Sequence, residues 1–332
     1  MVANELPIVG GVLRGRRQSP TVAFPPGTPV VQVCHPQWRG VRAATYAFRT
    51  PVFEAADLAV TGAEVARAAR DAGVERLVIQ GWPPGAATLA RALKAAGVAV
   101  GAVSHASLAQ HGTDAGEAER VAEVLDLARE GVIDRVGFVK QGLAEVFRHL
   151  GYDTHELLNR VPEVPSVVPD DLGPGRHVGV MLDPYWRKNV TTQVAAALLL
   201  GATAHLMRMP TVSWLPEERV IAHGELPAER FLPLLAGVEL NLHVTLSECH
   251  PITPMESYLL GVPCLVSRTS VLFEDDPDLL ELTSVAELDN PSRIAAAAER
   301  LIAHRDEAVR RARASLAALD RRAAQAWAAF VS

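Results

Sequence analysis

"VELNLHVTLSECHPITPMESYLLGVPCLVS", residues 238–267, reads as strand, turn, helix and strand. "VELNLHVTL" is an apolar strand, the helix ends in glycine at Gly261, and "PCLVS" is the next strand. A strand that passes through a helix into another strand makes a right-handed βαβ crossover with parallel pairing. Two carboxylates flank the turn. Glu248 stands at the carboxyl end of the strand, where an α/β sheet presents its ligand-binding groups. Glu256 stands near the helix start, and Thr253-Pro254-Met255-Glu256 matches a capping box. Threonine would be the N-cap, proline the first helical residue and glutamate the third residue after the cap.

The same alternation extends outward. In the first half "VVQVC" (30–34), "RLVIQ" (76–80), "VAVGAV" (98–103) and "VIDRVGFV" (132–139) read as short buried strands. The segments between them, such as "GAATLARALKAAG", have helical apolar spacing and end in glycine. "RVPEVPSVVPDDLGPG" (160–175) holds four prolines and two glycines in sixteen residues and reads as a linker. Beyond it "HVGVML", "TAHLMRM" and the opening stretch supply strands, and "NVTTQVAAALLLG" reads as a helix capped by Asn189. The chain closes in one or two long helices. The expectation is an α/β protein with two doubly wound domains facing across a cleft. They would span residues 1–168 and 169–332, with the last helices returning toward the first domain.

Composition narrows the function. The 332 residues carry a net charge of −6, with 49% hydrophobic and 21% charged side chains, so no global basic field awaits nucleic acid or an anionic membrane. Three scattered cysteines make neither a disulfide framework nor a cysteine zinc site. The first twenty residues lack a basic segment followed by a long apolar run, and "VAAALLLGA" is too short to span a bilayer, so a cytoplasmic protein without a membrane segment is expected. The absence of a G-x-G-x-x-G joining a first strand to a helix argues against a nicotinamide dehydrogenase.

The order of elements over residues 177–305 resembles the C-terminal domain of retaining GT-B glycosyltransferases of the "glycosyl transferases group 1" type. Ser247-Glu248 and Glu256 occupy the two glutamate positions of that family's S-E-x-F-G-x-x-x-x-E pattern, Gly261-Val262-Pro263 its G-x-P, and Glu274 the place of a later glutamate. His223-Gly224 resembles the pair that precedes its nucleotide-side helix. The resemblance implies sugar transfer from a nucleoside-diphosphate sugar to an unidentified acceptor, with retention. Glu256 would bind the ribose, Glu248 the transferred hexose and Lys188 the diphosphate. Catalytic roles would fall to Glu248, Lys188 and His105. Donor contacts would come from Arg187, Lys188, Glu248, His250, Ile252, Thr253 and Glu256. The helix start would add free N–H groups and partial positive charge. No cofactor is implied beyond the sugar nucleotide as co-substrate. No DxD-type motif lies beside these elements, so no metal is expected.

The chain also departs from the pattern. Met181 and Leu182 stand where the family has an arginine, and Arg187 is the nearest substitute. Cys249-His250-Pro251 replaces a glycine-containing turn, Ser270-Val271 replaces a glycine pair, and "VGGVLRG" is not followed by a helix-like segment. Several readings stay open. Glu256 serves a capping box as well as a ribose, Arg187-Lys188 a solvated helix entrance as well as a diphosphate. His105, just beyond a strand, is either a loop histidine or a group beside the reacting sugar. The stretch 33–45, with Trp38, Arg39, Gly40 and Arg42, is either a surface loop around a packed tryptophan or a wall of the acceptor or phosphate pocket. A sugar-nucleotide epimerase of the same fold, or a non-catalytic sugar-nucleotide-binding subunit, would share the donor site.

Overall fold

A computed structural model describes residues 22–270 and 272–332. The N-terminal stretch read above for a leader, the "VGGVLRG" segment and Val271 lie outside the described residues. The chain divides into two compact units, one of residues 1–160 and 322–332, the other of residues 161–321.

Unit 1 begins with β1 (Val30–Cys34), α1 (Arg39–Ala47), β2 (Val52–Glu54), α2 (Leu58–Asp71), β3 (Arg76–Gln80) and α3 (Ala86–Ala95). It continues with β4 (Ala99–Ser104), α4 (Leu108–His111), α5 (Glu117–Arg129), β5 (Arg135–Phe138), α6 (Leu143–His149) and β6 (Thr154–Glu156). Its six strands are all parallel, in the order β2-β1-β3-β4-β5-β6. Near-continuous apolar runs such as Leu77-Val78-Ile79, fully buried, are what a parallel sheet covered on both faces requires. The stretch 33–45 corrects one expectation. Most of it is α1 rather than a loop, with Trp38 as N-cap residue stacked on His35 at 4.9 Å.

Unit 2 begins with β7 (His177–Val180), α7 (Val190–Leu199), β8 (Thr203–Leu206), β9 (Val220–Ala222), α8 (Ala228–Gly237) and β10 (Leu240–His243). It continues with α9 (Ile252–Leu260), β11 (Cys264–Ser267), α10 (Pro277–Thr283), β12 (Ser284–Val285), α11 (Pro291–Ala303) and most of α12 (Arg305–Val331). The strands are again all parallel, in the order β12-β11-β10-β7-β8-β9. The strand order thus reverses direction between β10 and β7, as it does in unit 1 between β1 and β3. Such switch points are where doubly wound sheets open a crevice at the carboxyl ends of the strands.

The proline-rich stretch is not a free tether. It has no regular secondary structure, but Val164, Val167 and Leu172 pack on Met181, Met207, Phe231 and Leu235 of unit 2, and the Asp170 N–H donates to the Pro233 carbonyl. The last turns of α12 belong to unit 1. Trp327 stacks on Phe48 at 4.2 Å, and Arg76 and Arg135 donate to the Phe330 and Ala329 carbonyls at 2.7 and 2.8 Å. Cations at that end complement the helix dipole. Among the described residues no helix is long and apolar enough to cross a membrane.

Three histidines of unit 2 are joined in a row. His177 Nδ1 meets His205 Nε2, and His205 Nδ1 meets His223 Nε2, each at 2.9 Å. Each contact holds one proton, and the two outer nitrogens hold one apiece at most. Four protons on three rings is therefore the limit with both bonds kept, a net charge of +1. Burial, then the neighbouring His223 and His177, pushes His205 down to about 4, and burial lowers His223 against the opposing pull of Asp170. A histidine with a lowered folded pKa contributes stability above its unfolded pKa of 6.5, and that stability is lost as pH falls toward 4. For His205 the loss is on the order of 3 kcal/mol. The melting temperature should fall over that window, and His205→Leu should flatten the slope. An unchanged slope in His205→Leu would remove the trio as its source.

Candidate functional site

The loop after β7 and the segment after β10 meet at the switch point of unit 2. After β7 the chain makes one turn of 3-10 helix, Trp186–Lys188, then places Asn189 in the left-handed region at φ 53° and enters α7. Gln193, fully buried, stitches the two segments together. Its amide nitrogen donates to the Lys188 carbonyl at 2.7 Å, and its oxygen accepts the Val244 N–H at 2.7 Å. The Leu246 N–H donates to the Arg187 carbonyl at 2.8 Å. Asn189 is the N-cap residue of α7, as expected, but its side chain makes no cap bond: its amide donates instead to the Val244 and Leu288 carbonyls at 3.2 and 2.6 Å.

This stitching brings Lys188 and Glu248 together. Lys188 Nζ lies 2.5 Å from Glu248 Oε2, with side chains only 17% and 13% exposed. His243, the last residue of β10, reaches the same oxygen through Nε2 at 3.3 Å, and Glu248 Oε1 accepts the Cys249 N–H at 3.2 Å. Burial alone would raise the Glu248 carboxyl. The Lys188 cation and the His243 contact outweigh it and hold the group well below the usual carboxylate range. Burial lowers the His243 imidazole in spite of Glu248, so it is neutral at pH 7.

The helix after the turn starts earlier than the capping box implies. α9 runs from Ile252 with Pro251 as its N-cap, so Thr253 is the second helical residue and Glu256 the fifth. Thr253 is therefore not the cap, and Glu256 opens the second turn. The first four N–H groups of a helix have no intrahelical partner. Here two of those positions, Pro251 and Pro254, carry no N–H, so the helix start offers the donors of Ile252 and Thr253. Ile252 is buried, 7% exposed. Thr253 and Glu256 are half-buried, His250 is 2% exposed within the turn, and Arg187 is half-buried with its guanidinium 6.0 Å from the Tyr185 ring.

Seven of the expected site residues thus belong to one loop cluster of unit 2. His105 belongs to unit 1, one residue beyond β4, where its Nε2 lies 2.8 Å from Gln80 Oε1. Sequence reasoning missed His243 and Gln193. The signal was a polar residue interrupting an otherwise apolar strand or helix, here "LNLH" and "VTTQVAAALL". Among the described residues no group of three or more His, Cys, Asp or Glu side chains is placed to hold a metal ion.

No family model matches the chain, and no curated protein sequence does. Solved structures do. The apo structure of OtsA covers 92% of this chain and 98% of its own at 10% identity, with a TM-score of 0.60. A sucrose-phosphate synthase from Thermosynechococcus elongatus covers 85% and 78% at 15% identity, with a TM-score of 0.57. A UDP-forming trehalose-phosphate synthase from Burkholderia xenovorans covers 82% and 77% at 12% identity, with a TM-score of 0.55. At such identities the likeness speaks for the fold alone, and it agrees with the sequence resemblance: the chain has the GT-B architecture of two Rossmann-like domains.

Proposed function

We propose that the chain is an enzyme that transfers a hexose from a nucleoside-diphosphate sugar to an acceptor, with retention of configuration. The observation that carries this reading is the Lys188–Glu248 pair at the switch point of unit 2, on the segment that leads into α9. A diphosphate has more charge to offer Lys188 than one carboxylate does. Its arrival would draw the ammonium away and release Glu248 to accept hydrogen bonds from sugar hydroxyls. The Ile252 and Thr253 N–H groups, at the positive end of the helix, would receive phosphate oxygens. Arg187 and His250 border the same segment, Glu256 would accept from the ribose, and His105 would meet the reacting sugar.

Catalysis in this reading comes from positioning and from stabilising the departing diphosphate, with Lys188 and the helix start supplying the positive charge. A divalent ion is not required by it, and transfer should survive chelation. Uridine is the first donor base to try and sugar phosphates the first acceptors, because the similar synthases are described as UDP-forming and as making sugar phosphates. The test is release of nucleoside diphosphate from a panel of sugar nucleotides, with and without acceptors, and the anomeric configuration of the product by NMR. Product formed from the sugar nucleotide alone would indicate an epimerase. A chain that neither releases a nucleoside diphosphate nor is thermally stabilised by one would end the reading.

A further inference from the structure

The two faces of β10 differ in chemistry. Leu240 and Leu242 belong to the apolar core of unit 2. Asn241 and His243 alternate with them and point to the other face, where Asn241 Nδ2 donates to Ser257 Oγ of α9 at 2.8 Å. His243 is buried, and a buried imidazole on a strand is costly unless it is bonded. Its partner is an ionised carboxylate. His243 Nε2 lies 3.3 Å from Glu248 Oε2, the same oxygen that Lys188 Nζ meets at 2.5 Å. An ionised carboxylate only accepts, so the proton of the His243 contact sits on Nε2. One oxygen is thus held by a cation from the loop after β7 and by a neutral donor from the end of β10.

A diphosphate acts differently on these two holders. Lys188 is a point charge on a flexible stem, and added negative charge draws it away. His243 is neutral, buried and carried by a strand, so a diphosphate has no charge of its own to attract. Glu248 then loses the cation that does most to keep it ionised, just as further negative charge arrives. The His243 contact stays. The charged groups facing the ring are Glu248, which favours its protonated form, and Lys188 and Arg187, which together with burial oppose it. A diphosphate that neutralises Lys188 and Arg187 leaves the pull of Glu248 less opposed, and the ring becomes a stronger partner for the carboxylate.

We propose that His243 is a positioning residue that holds the Glu248 carboxylate in place when a diphosphate takes Lys188 from it, so that the position Lys188 leaves on Oε2 passes to a sugar hydroxyl. The diphosphate and the sugar rest on the function proposed above; the hold of His243 on Glu248 does not.

The first measurement needs no ligand. The full chain is labelled with 15N-histidine, and the His243 ring is identified by the loss of its signals in His243→Leu. In the wild type Nε2 should carry the proton at neutral pH, and the ring should titrate below 6.5. Lys188→Ala should raise that titration and Glu248→Gln should lower it, because the first removes a cation facing the ring and the second an anion. An Nδ1–H tautomer in the wild type, or a titration that neither substitution moves, would overturn the inference. UDP added to the wild type should act as Lys188→Ala does, and binding of UDP without that rise would rule out the exchange at Lys188. In the transfer assay His243→Leu should lose about tenfold in kcat, the low end for a hydrogen bond to a charged group, at unchanged UDP affinity. His243→Gln keeps an N–H donor and should recover part of that loss. In the Glu248→Gln background His243→Leu should cost little more, because no carboxylate is left to hold. The same tenfold loss in both backgrounds would show that His243 does not act through Glu248 and would end the proposal. A wild type that transfers nothing would sink the proposed function, while the ligand-free titrations would still decide whether His243 holds Glu248.

Discussion

Glu248→Gln is expected to lower sugar transfer by about ten- to a hundredfold while raising, not lowering, the affinity for free nucleoside diphosphate. The first effect follows from replacing a charged acceptor of sugar hydroxyls by a neutral amide, a change of roughly 1.5–3 kcal/mol. The second follows from the ion pair. In the wild type a diphosphate must compete with Glu248 for Lys188, which lies 2.5 Å from the carboxylate. Glutamine has one acceptor oxygen where the carboxylate uses two, so it keeps the bond from Lys188 or the one from the Cys249 N–H, and it no longer competes as an anion. The melting temperature should drop, because Lys188, largely buried, then lacks its opposite charge. Isothermal titration with nucleoside diphosphate, run beside the transfer assay, separates these effects. Transfer at the wild-type rate would leave the turn before α9 as a helix start and nothing more.

Much of this architecture was legible from the sequence, and the reason is periodicity. Runs such as "RLVIQ" and "VVQVC" announce buried parallel strands, and β1 and β3 have the bounds those runs imply. Elements carrying two or three residues gave no such signal: β2, β6, β9 and β12 exist because a neighbouring strand supplies their hydrogen bonds. Caps were misjudged for a related reason. Thr253 has the right neighbours for a capping box, but Pro251 already holds an extended conformation and ends the free chain two residues sooner. At the site, Glu248 and Lys188 were each legible from position along the chain. Their contact across sixty residues was not, because it depends on Gln193 and Asn189 stitching one loop to the other. The buried Gln32 and Gln80 drew no reading from the sequence, because their partners Thr45 and His105 lie on other segments.

Lys188→Ala should be the more damaging change, since it removes both the diphosphate partner and the cation that keeps Glu248 ionised. Breaking a buried pair by deleting one member costs about 3–5 kcal/mol, because the remaining charge stays buried without compensation. Glu248 should respond by gaining a proton more readily. In the wild type its depressed carboxyl contributes stability that is present above its unfolded pKa and lost as pH falls through the folded value. In Lys188→Ala that contribution to acid resistance should shrink, leaving the variant's stability less steep in pH below about 4, where unfolded carboxylates titrate. Binding should discriminate as well: nucleoside-diphosphate affinity should fall far more than nucleoside affinity, because the lost partner is the diphosphate charge. A double-mutant cycle then tests the coupling. If the two side chains form one ion pair, Lys188→Ala combined with Glu248→Gln should be less destabilised than the sum of the single changes, by about 1–3 kcal/mol. The gain in diphosphate affinity expected of Glu248→Gln should also vanish in the absence of Lys188. Additive losses of stability, or an affinity gain that persists without the lysine, would mean that the two residues act apart and that a diphosphate does not exchange places with the carboxylate.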